Sequence, residues 1–427
     1  MENPHLKLAI RNSTMDILRF ITAGSVDDGK STLIGRLLFD SQAVSLDILE
    51  ALERSRKSSN EGEVDLALLT DGLRAEREQG ITIDVAYKYF NTPRRKFIIA
   101  DTPGHIQYTR NMFTGASNAS LAILLVDARH GIVEQTQRHS LIVSLVQIPN
   151  VVVCINKMDL VNYDEAVYRS ICEGYAKLAD RLGMKNVVYL PLSAKLGENV
   201  VKHSDKMPWY TGPSLLEHLE TVPVNNDVNL TDPRFQVQYV IRPQTDDLHD
   251  YRGYAGRILS GVYRVGDEIR VLPSGLSSRI SRIELNGESL DEAVAPMSVI
   301  LHLEHDIDIS RGDTLAAASN PPELVSEPEV TLCWMDSRPL QRGDKLLLRH
   351  NSFTTRAVVR EVAYRWNVNT LEQATLDSAV GLNDIVRVKL KTAAPIAADS
   401  YRANRANGAF ILVDESSNNT VAACVMD

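Results

Sequence analysis

The stretch Gly24-Ser25-Val26-Asp27-Asp28-Gly29-Lys30-Ser31-Thr32 decides how the rest of the chain is read. It satisfies G-x-x-x-x-G-K-[ST] at every fixed position. Its two glycines let the backbone curl until several N–H groups face one anion, and a helix opening at Gly29 adds its positive end. Lys30 can then reach the outer phosphates and the Ser31 hydroxyl a magnesium ion. Apolar Leu18, Phe20 and Ile21 before the loop predict a buried strand, while Leu33, Ile34, Leu37 and Leu38 after it recur at helical spacing. Strand, phosphate cradle and helix in that order open an α/β domain.

Working outward, apolar runs at 17–23, 82–90, 96–101, 121–127, 151–156 and 187–190 alternate with helical patterns. This alternation predicts a mostly parallel sheet with helices on its faces. Ligands meet such sheets at the carboxyl ends of the strands, and the polar motifs stand there. Asp101-Thr102-Pro103-Gly104-His105 follows the run Phe97-Ile98-Ile99-Ala100. Asp101 can support the water shell of a magnesium ion, and Gly104 can bring an N–H to a terminal phosphate. Asn156-Lys157-Met158-Asp159 follows 151–155. Asp159 can accept from the N1–H and the exocyclic amino group of guanine, a pattern adenine does not offer, so GTP is expected over ATP. Ser193-Ala194-Lys195, after 187–190, would close the base pocket with a backbone N–H aimed at the guanine oxygen. A long insertion at 40–80 ends in Glu76-Arg77-Glu78-Gln79-Gly80-Ile81-Thr82-Ile83, where Thr82 is the candidate second hydroxyl ligand of magnesium, ordered by the terminal phosphate.

The motifs GSVDDGKST, RE-x-GITI, DTPGH, NKMD and SAK together resemble the GTPase domain of the translation-factor superfamily, in order and approximate spacing. Within it, GSVDDGKSTLIGRLL and Tyr251-Arg252-Gly253-Tyr254-Ala255-Gly256-Arg257 are most similar to the family of GTP-binding large subunits of bacterial ATP sulfurylase (sulfate adenylyltransferase). The resemblance implies an elongation-factor-like architecture, an α/β P-loop GTPase domain followed by two all-β barrel domains. It implies GTP and Mg2+ as cofactors. The nucleotide site would be Gly24, Ser25, Val26, Asp27, Asp28, Gly29, Lys30, Ser31 and Thr32, with Asp101, Gly104, Asn156, Lys157, Asp159, Ser193, Ala194 and Lys195. Magnesium would sit on Ser31, Thr82 and Asp101, and Lys30, Gly104 and His105 would carry catalysis, His105 by orienting the attacking water. It further implies a hetero-oligomer in which a separate small catalytic subunit makes adenosine 5′-phosphosulfate and pyrophosphate from ATP and sulfate, driven by GTP hydrolysis here. GTP ordering of 40–82 would then reshape the surface that meets that partner. The rival family member is a translation elongation factor carrying aminoacyl-tRNA. Asp28, where the bacterial elongation factor has His, and the 251–257 stretch favour the sulfurylase branch.

The whole composition agrees with this division. A chain of 427 residues is too long for one ordinary domain. Its formal net charge of −9 argues against a broadly basic nucleic-acid surface. No run approaches a membrane span, the first 14 residues lack the apolar core of a secretory signal, and the scattered Cys154, Cys172, Cys333 and Cys424 read as buried thiols, so a cytoplasmic protein is expected. The expected division is a mobile start at 1–15, the GTPase domain at 16–222, a linker rich in Asn, Asp and Pro at 223–233, and barrels at 234–322 and 323–427. His302 and His305 do not read as a metal pair, because strand residues three apart face opposite sides. Arg356, Arg360, Arg365, Arg402 and Arg405 read as outward strand positions in preference to an RNA-binding face.

Overall fold

The computed structural model describes residues 16–41, 84–105, 108–224, 228–243, 251–367, 370–376 and 378–427. Thr82 and nearly all of the 40–80 insertion lie outside them. The chain forms two compact units, residues 1–227 with 368–371, and residues 228–367 with 372–427.

The first unit is an α/β layer. Its strands are β1 (Ile17–Ala23), β2 (Ala86–Asn91), β3 (Lys96–Asp101), β4 (Leu121–Asp127), β5 (Asn150–Asn156) and β6 (Val187–Pro191), in the spatial order β2-β3-β1-β4-β5-β6. All neighbours are parallel except β2, an antiparallel edge strand on β3. β4 and β5 are buried at every position, which is why they read as unbroken apolar runs without alternation. The helices are α1 (Lys30–Asp40), α2 (Thr109–Ala116), α3 (Glu134–Leu145), α4 (Glu165–Arg181) and α5 (Leu215–Thr221). Leu33, Ile34 and Leu37 of α1 are fully buried against Leu18, Phe20 and Leu125 in one core cluster, each worth about 1.5–3 kcal/mol relative to exposure. After β1 the chain builds β2 and β3 on one side and then crosses to β4 on the other. The order reverses beside β1, and a crevice opens at its carboxyl end.

The second unit holds two closed six-stranded barrels. The first runs Glu268–Leu272, Thr314–Ala317, Arg234–Ile241, Gly253–Ser260, Ser298–Leu303, Ser277–Leu285 and back to the first. The Arg311-to-Leu315 stretch leads into the barrel's last strand in chain order, Thr314–Ala317, which pairs with the strands at 268–272 and 234–241. The second barrel runs Lys345–His350, Ala409–Val413, Thr420–Met426, Glu329–Trp334, Ile385–Thr392, Phe353–Asn367 and closes on the first. Its Phe353–Asn367 strand carries irregularities in register at Val359/Glu361 and Val362/Tyr364, which break its alternation.

The two barrels share a polar joint. Arg234, 2% exposed, makes a two-pronged pair with Asp399 at 2.9 Å for each bond and donates to the Pro233 and Asn320 carbonyls. Asn404 Nδ2 donates to Ser260 Oγ at 2.7 Å, and Gln236 bonds the His350 carbonyl and the Ser352 N–H. Elsewhere, His302 Nδ1 lies 2.9 Å from the Arg252 carbonyl and its Nε2 3.2 Å from Glu284, while His305 contacts Ser278. Arg356 pairs with Glu415, and Arg365 with Asp384 and the Ser378 and Ala379 carbonyls. Cys154, Cys333 and Cys424 are buried, but Cys172 is only partly covered on α4, a correction to the reading of four buried thiols. Among the described residues no helix is long and apolar enough to cross a membrane.

Candidate functional site

The phosphate loop leaves β1 at Gly24 and enters α1 through Gly29, which caps the helix at φ 92°. That left-handed backbone favours glycine, and a Cβ there would stand 2.5 Å from Asn156 Nδ2. Within the loop, the Ser25 N–H donates to the Asp28 carboxylate at 2.5 Å. Burial raises the Asp28 pKa, against that bond and the charge of Lys30. Val26 and Asp27 lie exposed at the loop's crown, and Ser31 and Thr32 are half-buried in the first turn of α1.

Lys30 folds back over the loop. Its Nζ donates to the Gly24 and Ser25 carbonyls at 2.9 and 2.8 Å, and burial lowers its pKa against the charges of Asp101, Asp28 and Asp27. Gly104 lies on this lysine so closely that a Cβ would meet Nζ at 2.5 Å and the Gly24 carbonyl at 2.8 Å. Parallel pairing of β1 with β3 puts Asp101 opposite Thr22, whose hydroxyl donates to it at 3.2 Å. His105 is half-buried, with its ring edge-on to Tyr108 at 6.4 Å. The structure therefore brings Lys30, Asp101 and Gly104 to one place. Ser31 and Asp101 offer only oxygen donors, the set a small hard cation such as Mg2+ takes.

The base side is tied to the phosphate side by Asn156. Its Nδ2 donates to the Asp28 carbonyl at 2.7 Å, and its Oδ1 accepts the Ala194 N–H at 2.9 Å. The Ala194 N–H, one candidate donor for a guanine oxygen, is thus spent on Asn156. Ser193 is fully buried, its hydroxyl accepting the Leu196 N–H. Arg36 of α1, which the motifs did not single out, donates to the Ala194 and Lys195 carbonyls and holds that loop against the phosphate helix. Asp159 lies in the short 3-10 turn Met158–Val161. Its Oδ1 is buried with no hydrogen-bond partner. An enclosed acceptor left so costs about 1–3 kcal/mol, and a donor from a bound base would recover it.

Two further residues were missed. Lys157 Nζ pairs with Asp127 at 2.9 Å, and its charge also reaches Asp28 of the phosphate loop. Asp127 also accepts from Arg129, and although burial pushes its carboxyl up, the Arg129 and Lys157 hydrogen bonds hold it well below the usual range. The available signal was position, since Asp127 ends β4 in register with Asn156. His139 of α3 is buried, and burial with the charges of Lys30 and Arg138 lowers its pKa from 6.5 to about 3. Its proton is bound more readily by the unfolded chain, so stability present above about pH 6.5 is lost as pH falls toward 3. Wild type is expected to lose on the order of 1 kcal/mol more per pH unit across that window than His139→Gln, read by denaturant unfolding at stepped pH. Equal slopes would rule this assignment out.

Comparison with known families gives three matches: Elongation factor Tu GTP binding domain at residues 15–225, Elongation factor Tu domain 2 at 254–316, and GTP-eEF1A C-terminal domain-like at 327–427. Among curated relatives, the Bifunctional enzyme CysN/CysC of Mycobacterium tuberculosis is 52% identical over 408 residues, covering 95% of this chain and 66% of that protein. The chain therefore spans just under two thirds of the bifunctional enzyme. Sulfate adenylyltransferase subunit 1 of Cellvibrio japonicus is 51% identical over 410 residues, covering 96% of this chain and 86% of that one. The protein of the same name from Bacteroides thetaiotaomicron is 49% identical over 422 residues, with the same coverage. Of solved structures, the S. cerevisiae Ski7 GTPase-like domain bound to GDP and inorganic phosphate aligns over 100% of both chains at 18% identity and a TM-score of 0.52, a likeness of fold.

Proposed function

This chain belongs to the sulfate adenylyltransferase subunit 1 family of elongation-factor-Tu-type GTPases, and we propose that it hydrolyses GTP to drive adenosine 5′-phosphosulfate synthesis in a partner subunit. The observation that carries this reading is about 50% identity, over 96% of the chain, to relatives bearing that name. The site supports the nucleotide half independently, because the partnerless Asp159 Oδ1 suits the paired donors of guanine.

In this reading a water attacks the γ-phosphorus, the bond from phosphorus to the β-bridging oxygen breaks, and GDP and phosphate leave. The protein's work is positioning and charge compensation. The loop amides from Gly24 to Ser31 hold the phosphates, and Lys30 exchanges the Gly24 and Ser25 carbonyls for phosphate oxygens. Ser31, Asp101 and Thr82 would hold Mg2+, which when bound neutralises charge on the β and γ oxygens. Gly104 supplies a backbone N–H, and His105 orients the water. The GTPase domain is taken as 16–222 and the barrels as 234–322 and 323–427. The partner is a small catalytic subunit in a hetero-oligomer, and the four free cysteines suit the reducing cytoplasm.

Coupling requires the partner to bind the GTP and GDP states unequally, since equal binding shifts nothing. Purified with a small subunit, the chain is expected to give GTP-stimulated adenosine 5′-phosphosulfate formation, and a partner affinity differing at least about tenfold between the two nucleotide states. Equal affinities would rule out coupling through the nucleotide state. Tight GTP-dependent binding of aminoacyl-tRNA without adenylyl transfer would favour the translation reading instead.

A further inference from the structure

We infer that Asp127 is a positioning residue for guanine recognition, holding the neighbouring cations Lys157 and Arg129 away from Asp159 so that its carboxylate stays available to the base. The inference rests on the GTP reading above and adds a residue outside the five motifs.

Four observations on adjacent strand ends carry it. Asp127 closes β4 directly beside Asn156 of β5, and its side chain is only 3% exposed. Onto this one carboxylate converge the Arg129 backbone N–H at 2.9 Å, Arg129 Nε at 3.0 Å, Arg129 Nη2 at 2.7 Å and Lys157 Nζ at 2.9 Å. Lys157 is also the residue from which the Asp159 turn starts, and it does so in the left-handed conformation at φ 61°. Its side-chain anchor therefore fixes the peptide that presents Asp159. Finally, Arg129 is close enough for its charge to be felt by Asp159, whose Oδ1 nonetheless has no hydrogen-bond partner.

Asp127 and Asp159 thus share this corner with Arg129 and Lys157, and both cations are bonded to Asp127, which His130 Nδ1 also approaches at 3.8 Å. A buried carboxylate demands pairing, because an uncompensated charge taken from water is costly. Asp127 meets that demand with bidentate geometry toward Arg129, the stronger and more directional arrangement. Without its charge, Arg129 and Lys157 lose their anchor and Asp159 is an available carboxylate within reach. Bonds from either cation would take the lone pairs that guanine needs.

The consequence is specific to the base. Guanine offers Asp159 two donors, N1–H and the exocyclic amino group, whereas hypoxanthine offers only N1–H. Misplacing or occupying Asp159 therefore costs GTP more than ITP. A change that merely loosens the domain weakens both nucleotides alike.

The test measures equilibrium binding of GTP and of ITP to the full chain by calorimetry or fluorescence. Wild type is expected to prefer GTP. In Asp127→Asn, which keeps the volume and removes the charge, that preference falls by about tenfold or more. Asp127→Ala, whose vacated space admits water to the stranded cations, serves as the second variant if the first does not fold. Adding Arg129→Ala to either restores part of the preference by removing one competitor. An unchanged GTP-to-ITP ratio with both affinities lowered together overturns the inference, and so does a double variant no better than the single one. A wild type with no preference for GTP over ITP would instead overturn the guanine reading itself.

Discussion

Asp159→Asn is expected to lower GTP affinity by on the order of 10²–10⁴-fold while creating affinity for xanthosine triphosphate. The carboxylate offers two acceptors and matches two guanine donors. The amide offers one acceptor and one donor, so one pair becomes donor against donor, and a polar group on each side is buried without a partner. Xanthine carries N1–H beside a carbonyl in place of the amino group and fits the amide. The enclosing structure should tolerate the change, because Asp159 Oδ1 has no protein partner to lose. Nucleotide competition binding reads the result. Retained GTP preference in the variant would show that another group reads the base.

His105→Ala is expected to separate binding from turnover, leaving GTP affinity within about threefold of wild type while slowing single-turnover hydrolysis by about 10²–10³-fold. The geometry behind the split is that the Lys30 and Asp28 bonds shaping the phosphate cradle run to Gly24 and Ser25, whereas the His105 side chain is half-buried and edge-on to Tyr108. Its removal leaves the cradle whole. Unchanged turnover in His105→Ala would remove the residue from the mechanism.

Strand positions in the α/β unit were legible because burial on both faces writes continuous apolar runs. β1, β3 and β4 fall at 17–23, 96–101 and 121–127, as their sequences indicate. The barrels were legible where alternation survived, as at Gly253–Ser260, and where a strand reads as a nearly continuous apolar run, as at Thr420–Met426. It failed at three-residue strands such as Val262–Arg264 and Ile396–Ala398, too short to carry a period, and across the irregularities of Phe353–Asn367. In the site, residues with fixed spacing within a loop could be named in advance. Contacts between loops could not. Arg36 reaches carbonyls at Ala194 and Lys195, and Lys157 reaches Asp127, across separations that only the parallel sheet brings together. Nothing in Lys157's own neighbourhood said whether it would pack on the phosphate loop or contact the base.

The joint formed by Arg234 and Asp399 also governs how the molecule can be taken apart. A cut near residue 322, between the barrels, would strand a 2%-exposed guanidinium on one fragment and a largely covered carboxylate on the other, along with Gln236, Asn404 and Ser260. A cut just before Val228 crosses none of these bonds. For truncation, isotope labelling by segment, or grafting onto another GTPase, the barrel pair is the smallest portable module, and the two barrels are halves of one heritable part that cannot be exchanged singly.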